Sequence, residues 1–561
     1  RAAYPQTQMS NVVVSGMLVT TGGCPAVYDG RSIVELGYAW VPEIHAISAT
    51  TPGFSDAGLY QYAVMWEWRD RAGRLHRSRP STPKNVTLAA DESAVFDIST
   101  MTVSMRDNTD HYPEASTIAA VIFRTVANGT IFFRLHASQS DSPYRLQDTP
   151  INDPSDWRIQ FTDDFGVPDS ELVEQALMPF QFVSGVLQPL PPYQPPPSGP
   201  SATWRNRVWL YSDRQLWYSN ENAPEPGGSI VPPPEFHPTN TFRVDDLPQV
   251  TAMVGMDNAL IVFAAHGVYA LTGEGNNANG SGATLQMQKV ASAEGCIEPR
   301  SVALSDRGVF YQSFKGYNLL TRTLEVDNLT AGHPVEQTLE TAGNIRAATV
   351  MDDRYEIRLV INTAVAGGAA VLVYNYRYRQ WSRFPLPNVD SDTWLSASAG
   401  GCSWPGALGS VQHVVLLQGG CYVERDPGDA SEFVDEANAG GLAVRMDLET
   451  GWINTSGILG FRRLRHVLIQ TQRVHAGPMA VDLYYDEDGS GEDTTTDTVT
   501  YSSPAPPVLC RRTSRQKYPV RIRVREPSSA PLTENVTITS FAIEVGIKKG
   551  LRRVPDTYLG G

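Results

Sequence analysis

Apolar positions in the C-terminal two-thirds of the chain come in short runs, each followed by a glycine-bearing turn and a second run that carries an aromatic residue. The phrase stands at Ala259–Glu274, Asp306–Arg322, Ala370–Phe384 and His413–Asp426. Each run is strand-sized, and each pair reads as a β-hairpin. Hairpins recurring at intervals of roughly 40 to 50 residues predict β-propeller blades, small sheets that bury their faces only by stacking on one another.

The N-terminal segment, residues 1–52, holds one comparable stretch, from Gly16 to Pro42, with turns at Gly22–Gly23 and Asp29–Gly30. It is expected to complete the propeller by closing a blade with strands from both ends of the chain. A different texture begins near Gly53. Tyr60, Tyr62, Val64, Trp66 and Trp68 alternate with smaller or polar residues, which predicts a half-buried antiparallel strand with those five on one face. Further strands are expected at Asn85–Ala90, Thr102–Met105, Ile118–Val126, Thr130–Ala137 and Arg158–Asp164. Residues 53–186 therefore read as a β-sandwich of fibronectin or immunoglobulin type, without the Cys and Trp hallmarks of antibody domains. Residues 187–203 are dense in proline and form a stiff connector. Blades follow over 204–561. From about residue 440 the strands lengthen, leaving open either a wordier blade or a second sandwich. The fold class is thus all-β, a β-propeller with an additional β-sandwich.

Composition agrees with a folded chain. Of 561 residues, 41% are hydrophobic and 19% charged, and 46 Gly with 40 Pro suit a turn-rich architecture. The length exceeds what one core usually serves. No apolar run reaches the roughly 20 residues of a membrane helix, so a soluble protein is expected. Arg1 in first place suggests a processed or incomplete start. Five scattered cysteines (Cys24, Cys296, Cys402, Cys421, Cys510) have neither disulfide-framework nor zinc spacing and read as free thiols of a reducing compartment. A net charge of −15 argues against a protein that grips nucleic acid over its whole surface. It permits a channel whose wall repels phosphate and lets a duplex slide.

Candidate chemistry is sparse. Asp486, Asp488, Ser490, Gly491, Asp493 and Asp497 approximate a calcium loop, but the closing Glu is Asp and the flanks read as strands; a solvated hairpin tip explains the acids. No metal site, cofactor site or catalytic residue is assigned. Nucleophile-elbow, zincin, P-loop and dinucleotide motifs are missing, and His266 and His413 read as strand-face fillers. Arg521, Arg523 and Arg525 alternate with Val520, Ile522 and Val524, aligning three guanidinium groups on one strand face. A row of like charges asks for an answering charge, so these three are the candidate subunit interface, set against a strand edge kept charged to prevent aggregation.

The runs Leu216–Glu225, Leu260–Gly275, Gly295–Arg322 and Val371–Phe384 together resemble the tail nozzle, or packaged-DNA stabilisation, proteins of short-tailed bacteriophages. The resemblance covers mainly Trp204–Phe384 and rests on order and texture. It implies a non-enzymatic virion protein of the phage tail, made in the host cytoplasm. Six copies would form a ring below the portal and adaptor, carry the tail fibres, and enclose genomic DNA without reading its sequence. On that reading Gly273–Gly282 is a candidate gate or contact loop. Two other classes compete: a receptor-binding or fibre-attachment tail protein, and a polysaccharide-degrading propeller enzyme with a carboxylate pair in its funnel.

Overall fold

The computed structural model describes residues 10–99, 119–137, 158–187, 189–224, 231–243, 248–290, 294–339, 345–362, 369–385, 400–405, 411–417, 420–424 and the strand segments between 434 and 547; positions 29, 31–32, 71, 184–185, 332, 334 and 337 are excepted. The chain is all-β, and helix is confined to short turns such as Asp169–Leu172. It divides into two compact units, Arg1–Ile297 and Glu298–Gly561. The expected β-propeller blades and the additional sandwich are both present.

In the first unit, blade 1 is the meander Asn11–Val14, Met17–Thr20, Ala26–Tyr28 and Ile33–Glu35. Blade 2 is Ser201–Trp204, Arg207–Ser212, Gln215–Ser219 and Phe236–Arg243, and blade 3 is Val250–Met256, Ala259–Ala264, Gly267–Thr272 and Gln286–Lys289. Each is an antiparallel sheet paired in chain order. In the second unit, blade 4 is Glu298–Ser305, Gly308–Ser313, Gly316–Thr321 and Val326–Asn328. Blade 5 is Ile345–Met351, Glu356–Asn362, Ala369–Asn375 and Gln380–Pro385. Blade 6 contributes Gly400–Pro405, Val411–Leu417 and Gly420–Val423.

Within each unit, the first strand of a blade lies beside the first strand of the next. This radial stacking explains why the repeated phrases show runs in place of alternation. Ala259–Ala264 and Gly308–Ser313, both inner strands of their sheets, are buried at every position. In blade 2, Val208 and Leu210 join a core with Val14, Met17, Val19 and Val34 of blade 1. Trp209, Leu216 and Tyr218 join another with Met253, Leu260, Val262 and Leu271 of blade 3. Blades 4 and 5 share Phe310, Tyr317, Ile357, Leu359 and Leu372.

Turn chemistry sets the meander. Arg205–Asn206 and Asp213–Arg214 carry positive φ (50°, 54°, 48° and 60°) at both central positions of two-residue hairpins, the geometry that matches the twist of paired strands.

Two expectations about the N-terminal half are corrected. Blade 1 is a complete four-stranded sheet built from residues 11–35, so no second chain end is needed to finish it. The strand Ile44–Thr50, expected with the blade, pairs instead with Ser93–Ser99. The sandwich therefore starts before residue 53. Its smaller sheet joins Arg158–Asp163, Ser93–Ser99 and Ile44–Thr50. The larger is built around Gly58–Arg69, which pairs with Ala119–Thr125, Leu75–Arg77 and Lys84–Leu88. Tyr60, Tyr62, Val64, Trp66 and Trp68 do share one buried face. The other face is buried too, since Ala63 and Met65 meet Val121, Phe123, Phe132 and Met178, so the strand is central and covered on both faces from Tyr62 to Trp68. The expected strand at Thr102–Met105 lies outside the described residues.

The late segment differs from the blades. Its four-stranded sheet runs Asp447–Glu449, Val520–Arg525, Pro478–Tyr485, Asp493–Thr500, and its three-stranded sheet runs Val508–Arg512, Arg462–Thr471, Ile538–Ile547. Apart from the hairpin of Pro478–Tyr485 and Asp493–Thr500, strands consecutive in sequence alternate between the two sheets. That is the connectivity of a sandwich-type module, whereas a blade is an up-and-down meander.

Candidate functional site

A charged cluster of the second unit lies at the seam between blades 5 and 6. The strand Ile345–Met351 of blade 5 lies against Gly400–Pro405 and Val411–Leu417 of blade 6. Just past the third strand of blade 6, Glu424 reaches back across the seam. Its Oε1 accepts from Arg354 Nη1 at 2.9 Å and its Oε2 from Arg358 Nη1 at 2.5 Å. Arg358 is 4% exposed and also donates through Nε (3.2 Å) and Nη2 (2.9 Å) to Glu356 Oε2. Burial opposes the charge of Glu424, but the Arg358 hydrogen bond and the two guanidinium charges outweigh it and hold the carboxyl below its usual range. For Arg358 the two carboxylates likewise outweigh burial, and its charge is secured. The cluster contributes a clamp.

His413 sits within this seam. It faces blade 5 from the central strand of blade 6, is 3% exposed, and its Nε2 has no hydrogen-bond partner. The hydroxyl of Thr349, on the facing strand of blade 5, is also buried and unpartnered. Gly401 lies between them: a Cβ there would come within 2.8 Å of Thr349 Oγ1 and 3.4 Å of His413 Nε2. Burial first, and then the Arg358 charge, push the imidazole down to about 4 from an ordinary 6.5; Glu424 works against the shift and Arg354 adds to it. The ring is neutral near pH 7. The expectation that His413 fills a strand face holds, but its neighbours make it more than filler.

A second ionic cluster ties the sandwich together. Arg124 is completely buried at a core-facing position of Ala119–Thr125. It donates to Asp163 Oδ2 at 2.7 Å, to the Val167 carbonyl at 2.8 Å and to Asp169 Oδ1 at 3.1 Å, and its guanidinium lies 4.1 Å from the Phe165 ring centroid. Tyr62 donates to the same Asp163 oxygen at 2.8 Å. Arg124 belongs to the larger sheet and Asp163 to the smaller, so the pair crosses the sandwich core.

The arginine row predicted from alternation is a real row, with an answer inside its own sheet. Arg521 Nη1 meets Glu449 Oε1 at 2.9 Å and packs 4.6 Å from the Tyr484 ring centroid; Arg523 Nε lies 3.8 Å from Glu449 Oε2. Glu449 and Asp482 pair in register with Arg523, and Tyr484 with Arg521. The backbone of Arg525 pairs in register with Asp447 and Ala480. The structure brings Arg521 and Arg523 together with Glu449.

The loop Gly273–Gly282, expected as a gate or contact element, is tied down. Asn276 is buried and its carbonyl accepts from Arg207 of blade 2 at 2.9 Å. Its side-chain amide donates to Thr239 and Asn240, and Leu190 of the proline-rich connector donates to the Ala278 carbonyl at 2.9 Å. Glycine here serves a tight packed turn. Of the calcium-like acids, Asp486, Asp488, Ser490 and Gly491 lie outside the described residues, while Asp493 and Asp497 lie on a strand. Among the described residues no group of three or more metal-ligating side chains converges.

Sequence reading missed the seam and the sandwich tie. The signal was there in both cases: Arg358 interrupts the apolar run Glu356–Asn362, and Arg124 interrupts Ala119–Thr125. A charge inside a fully buried strand requires a partner from a neighbouring sheet.

No family model matches the chain, and no curated protein matches it. Among solved structures, it is similar to an exo-β-1,3-galactanase from Phanerochaete chrysosporium at 10% identity, covering 62% of this chain and 99% of that one with a TM-score of 0.20. A prolyl endopeptidase is similar at 10% identity over 74% of this chain and 52% of that one, TM-score 0.23. A glycoside hydrolase family 43 arabinoxylan arabinofuranohydrolase from Bacillus subtilis is similar at 7% identity over 81% and 93%, TM-score 0.15. Superpositions this poor carry no argument about fold or activity.

Proposed function

We propose that this chain is a structural tail protein of the nozzle type, a non-enzymatic virion component. Copies of it, six on the resemblance, would ring a channel for genomic DNA below the portal and adaptor and carry the tail fibres. The observation that supports this reading is where the resembling phrases fall. Leu216–Glu225 includes most of the third strand of blade 2, Leu260–Gly275 the middle hairpin of blade 3, Gly295–Arg322 the first three strands of blade 4 and Val371–Phe384 the last hairpin of blade 5, in order. The polar chemistry fits a mechanical role: the buried Arg124, and Arg358 at the blade seam, tie one sheet to another. Stacked blades with ionic cross-ties resist deformation, because each sheet slides only by breaking buried pairs. The arginine row remains a proposed contact between copies, with the qualification that Glu449 already answers part of its charge.

Negative-stain imaging of the purified chain, and of particles that carry it, tests the proposal. A six-fold ring with an axial hole at the distal end of a tail is expected. Monomers that release reducing sugar from a polysaccharide would overturn it in favour of the enzyme reading.

A further inference from the structure

The seam between blades 5 and 6 joins two unpartnered buried polar atoms, a glycine hollow and a buried double clamp at one place. We propose that it is a proton-operated catch: taking up a proton on His413 sets a third cation against Arg354 and Arg358 and releases the strands of blade 6 from blade 5. This inference does not depend on the nozzle reading.

Among the described residues, the groups near the imidazole come from both blades of the seam. Thr349 faces it from the first strand of blade 5, Arg354 from the turn Asp352–Arg354, and Arg358 from the second strand of blade 5, backed by Glu356. Gly401 comes from the first strand of blade 6, and Glu424 from the end of its third. Two of these groups are cations and the facing carboxylate is Glu424, whose two oxygens are both already taken by those cations. Glu356 and Asp353 balance Arg358 and Arg354, so what an added imidazolium meets is first the burial of the seam and then the Arg358 charge, with the Thr349 hydroxyl an unpartnered neighbour. Blade 6 is bound to blade 5 here through Glu424, whose backbone N–H donates to the His413 carbonyl at 2.9 Å. Repulsion at His413 thus acts on the same strand pair that presents the clamp. Glu424 keeps its charge over this range, since the arginines lower its own proton affinity. The histidine is then the group that changes.

Sign and size follow from linkage. In the released state the imidazole is solvated and binds a proton near its ordinary value of 6.5, whereas in the closed seam it does so only near 4. The opening equilibrium is therefore flat above neutrality and rises as pH falls through that window, growing about thirty-fold by about pH 5.

The test is hydrogen–deuterium exchange on the full chain, stepped from about pH 7 to about pH 4 and corrected for intrinsic rates. Amides of Val411–Leu417 and Ile345–Met351 are expected to lose protection by that factor, reversibly, while Ala259–Ala264 of blade 3 stays protected. His413→Gln, neutral at every pH, is expected to abolish the change. Equal acceleration in His413→Gln, or simultaneous loss of protection at Ala259–Ala264, would overturn the catch. Should that variant not fold, the C2 proton of His413 in the unaltered protein decides by NMR: titration well below the free-histidine value supports the proposal, and titration near 6.5 refutes it.

Discussion

Two buried arginines set the energetic character of the molecule at the scale of single residues. Arg124 has no exposed surface and spends its donors on Asp163, Asp169 and a carbonyl. Such a pair gives little net stability over an apolar substitute, yet breaking it strands the partner. Arg124→Met should therefore cost about 3–5 kcal/mol, because Asp163 loses its counter-charge in the core. Arg124→Met with Asp163→Asn should recover much of that loss, and urea unfolding midpoints of the two variants give the comparison. His413 adds a pH term of the opposite origin. Its folded affinity for a proton lies below its unfolded value, so the unfolded chain binds more protons between the two. Stability is complete above about pH 6.5 and declines as pH falls toward about 4, by on the order of 3 kcal/mol in total. Thermal scans of wild type and His413→Gln should diverge across that window and run parallel above it.

Among elements, the blade hairpins are held by backbone geometry as much as by apolar burial. Gly316 opens the third strand of blade 4 with φ of 124°, and a Cβ there would sit 2.0 Å from Thr330 Oγ1, the atom that accepts from the Tyr317 amide. Gly316→Ala combines a backbone strain with a collision, and a loss of more than 2 kcal/mol is expected on the order set by such sites. Chemical denaturation checks it, with Gly16→Ala, whose Cβ would meet nothing within 4 Å, separating the φ term from the clash. The arginine row makes a further case. Because Glu449 bridges Arg521 and Arg523, replacing Arg521, Arg523 and Arg525 together with Ser should loosen the sheet by about 1 kcal/mol as well as weaken assembly. Exchange protection of Pro478–Tyr485 reports the first effect and sedimentation the second. These elements also show what was legible in the chain. Central blade strands announce themselves because burial on both faces yields an uninterrupted apolar run, as in Ala259–Ala264. Ile44–Thr50 was invisible as a sandwich strand because it is mostly exposed and carries little apolar pattern. The His413 seam was illegible for a different reason: its members, Thr349, Arg358, Gly401 and Glu424, are distributed over 75 residues and meet only through blade stacking.

For the whole molecule, the informative relation is how the sandwich is set into the first unit. Blade 1 ends near Glu35 and blade 2 begins at Ser201, yet the two lie side by side: Thr203 Oγ1 donates to the Val13 carbonyl at 2.9 Å and Thr21 Oγ1 to the Gly199 carbonyl at 2.5 Å. The chain leaves and re-enters at one point. A Cβ on Gly37 would lie 2.7 Å from Gln194 Cα, so the ends of the intervening segment are in contact, the usual arrangement of an inserted domain. Excising residues 38–193 and joining Gly37 to Gln194 through two or three glycines should thus keep the blade 1 to blade 2 seam. The cost falls on shared surface, because Tyr38, Ile44 and the sandwich aromatics belong to the same core as Val14, Val34 and Val208, and because the amide of Tyr193, removed with the segment, donates to the Phe236 carbonyl of blade 2 at 2.7 Å. The shortened chain is expected to remain folded, with exchange protection of Arg207–Ser212 and Ala259–Ala264 retained and its melting temperature lowered by several degrees. Loss of protection at Ala259–Ala264, whose blade packs on the far face of blade 2, would show that the sandwich is part of the folding core and not an insertion. Retention there with loss confined to Asn11–Val14 and Met17–Thr20 would place the dependence on blade 1 alone.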